Sequence, residues 1–251
     1  MKAQMSTYAS DKRILKGRIG LGVKKAFSFF YSEHLSHDEL FAQEIARNLT
    51  TESFVLDAGC GNGALFRYHW KHVRCLVGCD IHSSISKNTN IMIAVRANLT
   101  RLPFACESFD IIFSRYVLEH LNAPGIIFSE LARILRPGGK LIVLTPSKYH
   151  YAVLLSRLTP HRFHKFVSTL RGNSPEDTFP AKYLCNSRTE LIRHAQEAGL
   201  TLKKFVQTED CPNYMLWSLP SFLAGVAYER IVNYLNFLSA FRVSIIAVFQ
   251  R

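Results

Sequence analysis

Phe54-Val-Leu-Asp-Ala-Gly-Cys-Gly-Asn-Gly-Ala64 opens on three apolar residues and ends in glycines at positions 59, 61 and 63. The pattern predicts a short buried strand that delivers Asp57 and then turns into a helix beginning near Ala64. Glycines in such a turn let the backbone approach a ligand closely. In an open α/β sheet, ligands bind beyond the carboxyl ends of the strands, which is where this turn falls.

Short apolar runs recur downstream. Leu76-Val-Gly-Cys79, Ile91 to Val95, Phe109 to Phe113 and Lys140 to Leu144 read as strands, most of them separated by helical stretches such as Ile126 to Leu135. Strand alternating with helix argues for a parallel α/β sheet covered on both faces. Upstream, the chain to about residue 50 reads as helical, with Ser36 as an N-cap and Glu39 three residues on. Ser187 to Ala198 predicts a capped helix ended by Gly199, followed by strands at Lys203 to Gln207 and Val243 to Phe249. Two pieces break the alternation, at about 149–183 and 212–241. They read as insertions around a core at 54–146 within a single domain spanning 1–251.

Composition narrows the class. The chain has 251 residues, 48% hydrophobic and 20% charged, which suits a globular protein with a sizeable core and excludes whole-chain disorder. Six cysteines without zinc spacing argue against a disulfide scaffold or a metal cluster, and reduced thiols suit a cytoplasmic protein. The longest uncharged apolar stretch, Asn213 to Tyr228, is broken by Pro220 and Gly225 and falls short of the roughly 20 residues that span a bilayer. The net charge of +12 directs attention to acidic partners.

Two cofactors are compatible with the glycine loop. Gly59-x-Gly61-x-x-Ala64 satisfies the loose dinucleotide pattern, with Asp80 placed where a ribose-binding acid belongs. Asp57 separates the two. A carboxylate there would crowd a pyrophosphate, but it suits a ligand carrying an ammonium and a sulfonium.

At this point the chain resembles the class I S-adenosylmethionine-dependent methyltransferases. The resemblance continues through Asp80-Ile81, Asn98-Leu99, Leu102-Pro-Phe104, Ser108-Phe-Asp110, Leu118-Glu-His-Leu121 and Leu135-Arg-Pro-Gly-Gly-Lys140, covering about residues 54 to 146. It points to the branch that includes ubiquinone-pathway and many small-molecule enzymes. It implies a Rossmann-like sheet of seven mostly parallel strands with helices on both faces and an antiparallel last strand. It also implies S-adenosyl-L-methionine as cofactor. Asp57, Gly59, Cys60 and Gly61 would hold its methionine end and approach the ribose. Asp80 would accept from both ribose hydroxyls, Ile81 would pack on the adenine, and Asn98 and Leu99 would lie at the adenine edge. Asn98 stands where many relatives have Asp. Ser114 and Arg115 would line the methionine arm.

Methyl transfer from a sulfonium is a direct displacement, so alignment matters more than acid–base groups. A base is needed only for a protonated nucleophile. Candidates are His120, Tyr149, His150, His161 and His164, with His120 either facing the cleft or capping helix carbonyls. The Asn/Asp-Pro-Pro-aromatic motif of amino-group enzymes is replaced by Ser114-Arg-Tyr116, and no RNA-binding module is recognisable, so nucleic acid is demoted. Between Leu131 and Pro175 there are eight basic residues and no acid, interleaved with apolar residues. The expected partner is a small acidic acceptor with an apolar body, O-methylation being favoured by analogy. The alternatives are a lipid or quinone precursor met at an anionic membrane surface, and a non-catalytic S-adenosylmethionine-binding protein.

Overall fold

The computed structural model describes residues 19–32, 34–63, 72–158 and 180–251. Seven strands form one sheet: β1 (Phe54–Ala58), β2 (Cys75–Asp80), β3 (Ile93–Arg96), β4 (Phe109–Arg115), β5 (Leu135–Pro146), β6 (Thr201–Thr208) and β7 (Ser244–Gln250). Their order is β3-β2-β1-β4-β5-β7-β6. The pairs from β3 through β5 are parallel, and β7 runs antiparallel to β5 from Lys140↔Gln250 to Pro146↔Ser244. This is the expected doubly wound sheet with its reversed last strand. Central strands are buried along almost their whole length, as a sheet covered on both faces requires.

The helices are α1 (Leu21–Phe30), α2 (His37–Ala46), α3 (Pro124–Ile134), α4 (Tyr151–Leu158), α5 (Arg188–Glu197) and α6 (Leu219–Tyr234). Local chemistry sets their starts. Ser36 and Glu39 form a reciprocal cap on α2, at 3.3 and 2.8 Å, and Ser187 caps α5 by accepting from the Glu190 N–H. Gly199, at φ +78°, ends the turn after α5. The helix expected near Ala64 lies outside the described residues, as do His161 and His164.

Contacts gather the chain into two compact units, one of residues 1–40, 149–179 and 208–243, the other of 41–148, 180–207 and 244–251. The sheet unit is built around Leu56, Ile112, Leu141, Val143 and Ala247 in the strands, with Phe128 and Leu131 of α3 and Leu191 of α5. Its register is pinned at the start of the strands. Arg136 places one guanidinium nitrogen 2.8 and 2.7 Å from the two Asp110 oxygens, and Asp110 also accepts from the Phe54 N–H at 2.8 Å. Asp110 and Arg136, both within the recognisable motifs, therefore brace β1, β4 and β5.

The other unit has its own core, with Val23 and Phe27 of α1 and Tyr31 just after it packed with Phe222 and Val226 of α6. Pro220 and Gly225 do not interrupt α6. Pro220 occupies its first turn, where a missing N–H costs nothing, behind a Ser218–Ser221 capping box. Gly225 is required by packing: a Cβ there would lie 2.5 Å from Pro212 Cβ. Among the described residues no helix is long and apolar enough to cross a membrane.

Candidate active site

β1 ends in Asp57 and Ala58, and the chain then turns through Gly59 at φ +83° and Gly61 at φ +53°. Side chains fail at these two positions for different reasons. At Gly59 a Cβ would lie 2.3 Å from Val117 Cγ2. At Gly61 the surroundings are open, and only the left-handed backbone favours glycine. The loop is tied to β2, because the Gly59 and Cys60 N–H groups both donate to the Cys79 carbonyl, at 2.8 and 3.2 Å. Cys60 packs its sulfur over Gly78, where a Cβ would come within 2.8 Å.

Asp80 closes β2 with a carboxylate held from both sides. Its Oδ2 accepts from the Gly61 N–H and its Oδ1 from the His82 N–H, each at 2.8 Å. Each oxygen keeps a further lone pair, so a fixed bidentate acceptor is left for a ligand diol. Ile81 follows it with 53% of its surface exposed, an apolar face next to that acceptor.

Asp57 is buried, and among the described residues no group donates a hydrogen bond to its carboxylate. Burial pushes its pKa up to about 8, Arg115 pulls it back, and the neighbouring charge of Asp80 adds to the rise. A buried carboxyl that resists ionisation is what a cationic ligand would complement. The donor set therefore fits S-adenosylmethionine: one carboxyl for a positive charge, one for two hydroxyls, and an open glycine loop between them.

Asn88 and Asn90 are supports that the sequence did not reveal. Asn88 Nδ2 lies 3.4 Å from both the Cys60 and Gly61 carbonyls, Asn90 Nδ2 donates to the Gly63 carbonyl at 2.8 Å, and the Asn90 N–H donates to Asn88 Oδ1 at 3.0 Å. These amides clamp the loop from outside. No periodic signal marks them, and only an Asn-x-Asn spacing in a turn-rich segment could have suggested the pair.

The remaining expected residues divide. Ser114 is buried and donates to the Ala58 carbonyl at 2.8 Å, bracing β4 against β1. Arg115 stacks its guanidinium 4.7 Å from the centre of the Tyr116 ring while its charge acts on Asp57. Tyr116 sits at φ +54°, a left-handed turn that costs a non-glycine residue about 1–2 kcal/mol and redirects the chain out of β4. Asn98 is exposed, and its side-chain oxygen already accepts from the Thr100 N–H at 3.0 Å. Leu99 packs against the sheet core.

The turn Leu118–His120 holds the chain where it returns at Pro180. The Glu119 carbonyl accepts from the Lys182 and Tyr183 N–H groups at 2.7 and 3.1 Å, and His120 Nδ1 lies 3.3 Å from the Pro180 carbonyl. A carbonyl only accepts, so the His120 proton is assigned to Nδ1, and the neutral ring carries its lone pair on Nε2. Burial lowers the His120 pKa, opposed by that hydrogen bond. The Glu119 side chain was not among the expected site residues. It is buried, accepts from Thr145 Oγ1 at 3.3 Å, and is lifted by burial to about 7.

Tyr149 and His150 belong to the other unit. Tyr149 is exposed, whereas the His150 side chain has 0% exposure and lies among Tyr151, Tyr214 and Tyr228. Its Nδ1 accepts from the Ala152 N–H at 3.4 Å, and its Nε2 faces Glu209 Oε1, also at 3.4 Å.

Three of the eight cations in the basic stretch from residue 131 to 175 are neutralised by carboxylates outside it. Arg133 pairs with Glu130 at 2.8 Å, Arg136 with Asp110 at 2.7 Å and Lys148 with Glu190 at 2.5 Å, while Lys140 binds Asn48. Arg162, Lys165 and Arg171 lie outside the described residues.

Comparison with known proteins agrees with this fold. A family profile described as a methyltransferase domain matches residues 56–143. The match covers the strands from β1 to β5, and the seven-stranded sheet is the class I S-adenosylmethionine-dependent methyltransferase fold. It is 31% identical over 140 residues to a malonyl-[acyl-carrier protein] O-methyltransferase of Herminiimonas arsenicoxydans, covering 51% of this chain and 48% of that one. It is 28% identical over 146 residues to a ubiquinone biosynthesis O-methyltransferase of Rhizobium etli, covering 52% and 59%. The chain thus spans about half the length of the curated relatives it matches. Among solved structures it resembles a geranyl diphosphate C-methyltransferase of Streptomyces coelicolor with a TM-score of 0.53 and 15% identity, over 85% of this chain and 80% of that one, a likeness of fold. The family's cofactor is S-adenosyl-L-methionine.

Proposed function

We propose that this chain transfers a methyl group from S-adenosylmethionine to an oxygen of a small molecule with an apolar body and an acidic group. The observation that carries the reading is the pair of carboxyls at the ends of β1 and β2. Asp57 lies buried without a hydrogen-bond donor among the described residues, and Asp80 is fixed by two backbone N–H groups. When bound, S-adenosylmethionine supplies an activated methyl on a sulfonium. Asp57 meets the positive charge at the methionine end, and Asp80 fixes the ribose through its two oxygens. Gly59 to Gly61 allow close approach, and Asn88 and Asn90 keep that loop in place.

His120 is the base this reading favours. Its Nδ1 proton is committed to Pro180, and burial lowers the ring's pKa, which favours the neutral form. Nε2 is then the basic nitrogen of the ring. His150 suits the task less, because its two nitrogens already face Ala152 and Glu209. Oxygen as the methylated atom is supported by the names of the two curated relatives, both O-methyltransferases.

A second reading, action on a lipid or quinone precursor at an anionic membrane surface, is favoured by one observation. Residues 214–241 expose many large apolar side chains. The test of both is incubation of the purified chain with methyl-labelled S-adenosylmethionine and a cell extract, followed by separation into lipid, metabolite, protein and nucleic-acid fractions. Label among polar metabolites supports the first reading and label in lipid the second. Cofactor binding without label in any fraction counts against both and favours a non-catalytic binding protein.

A further inference from the structure

α6 is apolar on both of its sides. Phe222, Val226 and Val232 face inward. Leu219, Leu223 and Ile231 remain exposed, spaced at four and eight residues so that they share the outward face. Aromatic residues bracket this stripe, with Trp217 79% exposed before it and Tyr234 and Phe237 at 85% and 78% after it. A surface helix of a monomeric soluble protein ordinarily turns charged residues outward. Aliphatic residues flanked by Trp and Tyr suit the boundary between water and lipid.

The charges around this face point to the same partner. All three carboxylates between residues 208 and 243 are buried and occupied. Glu209 accepts from the Val243 N–H at 2.7 Å, Asp210 is paired with His34 and His37, and Glu229 accepts from Tyr31 Oη at 3.2 Å and Asn233 Nδ2 at 2.7 Å. No exposed carboxylate is left on that stretch, while Arg230 is exposed. α1, packed on α6 through Phe27 and Phe222, shows the same mixture: Leu21, Lys25 and Phe29, one turn apart, are all exposed. The sequence leading into α1, residues 1–18, carries five basic residues against Asp11 alone.

We infer that the outward face of α6, together with α1, docks the enzyme on an anionic lipid surface, with α6 lying in the plane of the interface. A neutral apolar patch would suit another protein equally, but apolar groups mixed with cations and stripped of exposed carboxylates suit anionic headgroups above acyl chains. This extends the membrane-surface reading above, and it stands whether or not the methyl acceptor is itself a lipid.

The test is flotation of the full chain with phosphatidylcholine vesicles, with and without phosphatidylglycerol, at low and high salt. The expected result is binding that requires phosphatidylglycerol and falls with salt, accompanied by a blue shift of tryptophan emission that Trp217→Phe removes. Leu223→Glu combined with Ile231→Glu should weaken partition by about tenfold or more, since two aliphatic side chains no longer enter the interface. Unchanged S-adenosylmethionine affinity in that variant shows that it is folded and keeps this test separate from the cofactor site. Absence of vesicle binding at low salt overturns the inference, and so does binding that the double variant leaves intact. A dimer in light scattering that the double variant dissolves, without vesicle binding, also overturns it and assigns the face to a second copy of the chain.

Discussion

Replacing Asp57 by Asn tests the electrostatics of the cofactor site directly. Burial raises the Asp57 pKa to about 8, against a partial offset from Arg115 and a further push from Asp80. At pH 7 only about one molecule in eleven then carries the charge that a cationic ligand needs. Ionising the rest costs on the order of 1 kcal/mol at pH 7 and roughly one pKa unit's worth more at pH 6. Affinity for S-adenosylmethionine should therefore strengthen about tenfold from pH 6 to 7 and pass through its maximum near 8, where the ligand's own amino group begins to lose its proton. An α-amino group of ordinary pKa near 8 stays protonated over the lower interval, so the slope there belongs to the protein. Calorimetry in buffers of different ionisation enthalpy should show about 0.9 proton released per cofactor bound at pH 7. Asp57→Asn keeps the shape and cannot ionise. Its affinity should be weaker by about 1.5–3 kcal/mol above pH 7.5, and its change between pH 6 and 7 should fall below about twofold. A wild-type affinity that is flat over that interval, or an equal slope in the variant, would refute the assignment of Asp57 as the group facing the positive charge.

Other perturbations follow from the same geometry. Asp80→Ala should weaken cofactor binding by about 1.5–3 kcal/mol, the scale of hydrogen bonds to a charged acceptor; unchanged affinity in a calorimeter would remove Asp80 from the site. Asn88→Ala should cost about 1–2 kcal/mol of cofactor affinity through the loosened glycine loop, and an unaltered dissociation constant would show that the clamp is incidental. Glu119 has its pKa raised to about 7 by burial, so its contribution to stability is complete below its ordinary value near 4.5 and is lost as pH rises through 7. Glu119→Gln should accordingly gain up to about 3 kcal/mol on the wild type between pH 5 and 9, and parallel melting curves against pH would sink that account. Phe222→Ala removes a ring buried at the centre of the α1–α6 core and should cost about 3–5 kcal/mol in denaturant melts; a loss below about 1 kcal/mol would mean that this core is not cooperative with the rest.

The sheet was legible because its central strands contain short apolar runs, separated by glycine-rich or helical connections. Asp57, Gly59, Gly61 and Asp80 could be read for the same reason: they sit at the ends of recognisable strands. The supports were not legible. Asn88 and Asn90 meet carbonyls 27 and 28 positions away, contacts that exist only once β1 and β2 are paired. The basic stretch misled in a related way. A window from 131 to 175 contains no acid, yet Glu130, Asp110 and Glu190, all outside the window, neutralise three of its cations. Charge counted along the chain is not charge counted in space. Pro220 and Gly225 likewise looked like interruptions, although a proline in the first turn and a glycine under a close contact are both compatible with one continuous helix.

The pairing of α1 with α6 has a consequence for how the protein is made. Tyr31 and Glu229 bond across 198 positions of sequence. At a synthesis rate of 5–20 residues per second, α1 leaves the ribosome about 10–40 s before its partner exists. During that interval Val23, Phe27 and Tyr31 have no α6 to cover them, while the nucleotide-fold sheet is being laid down between the two. The first described helix is therefore among the last elements to find its native neighbours, and nascent α1 is where a chaperone would have most to hold.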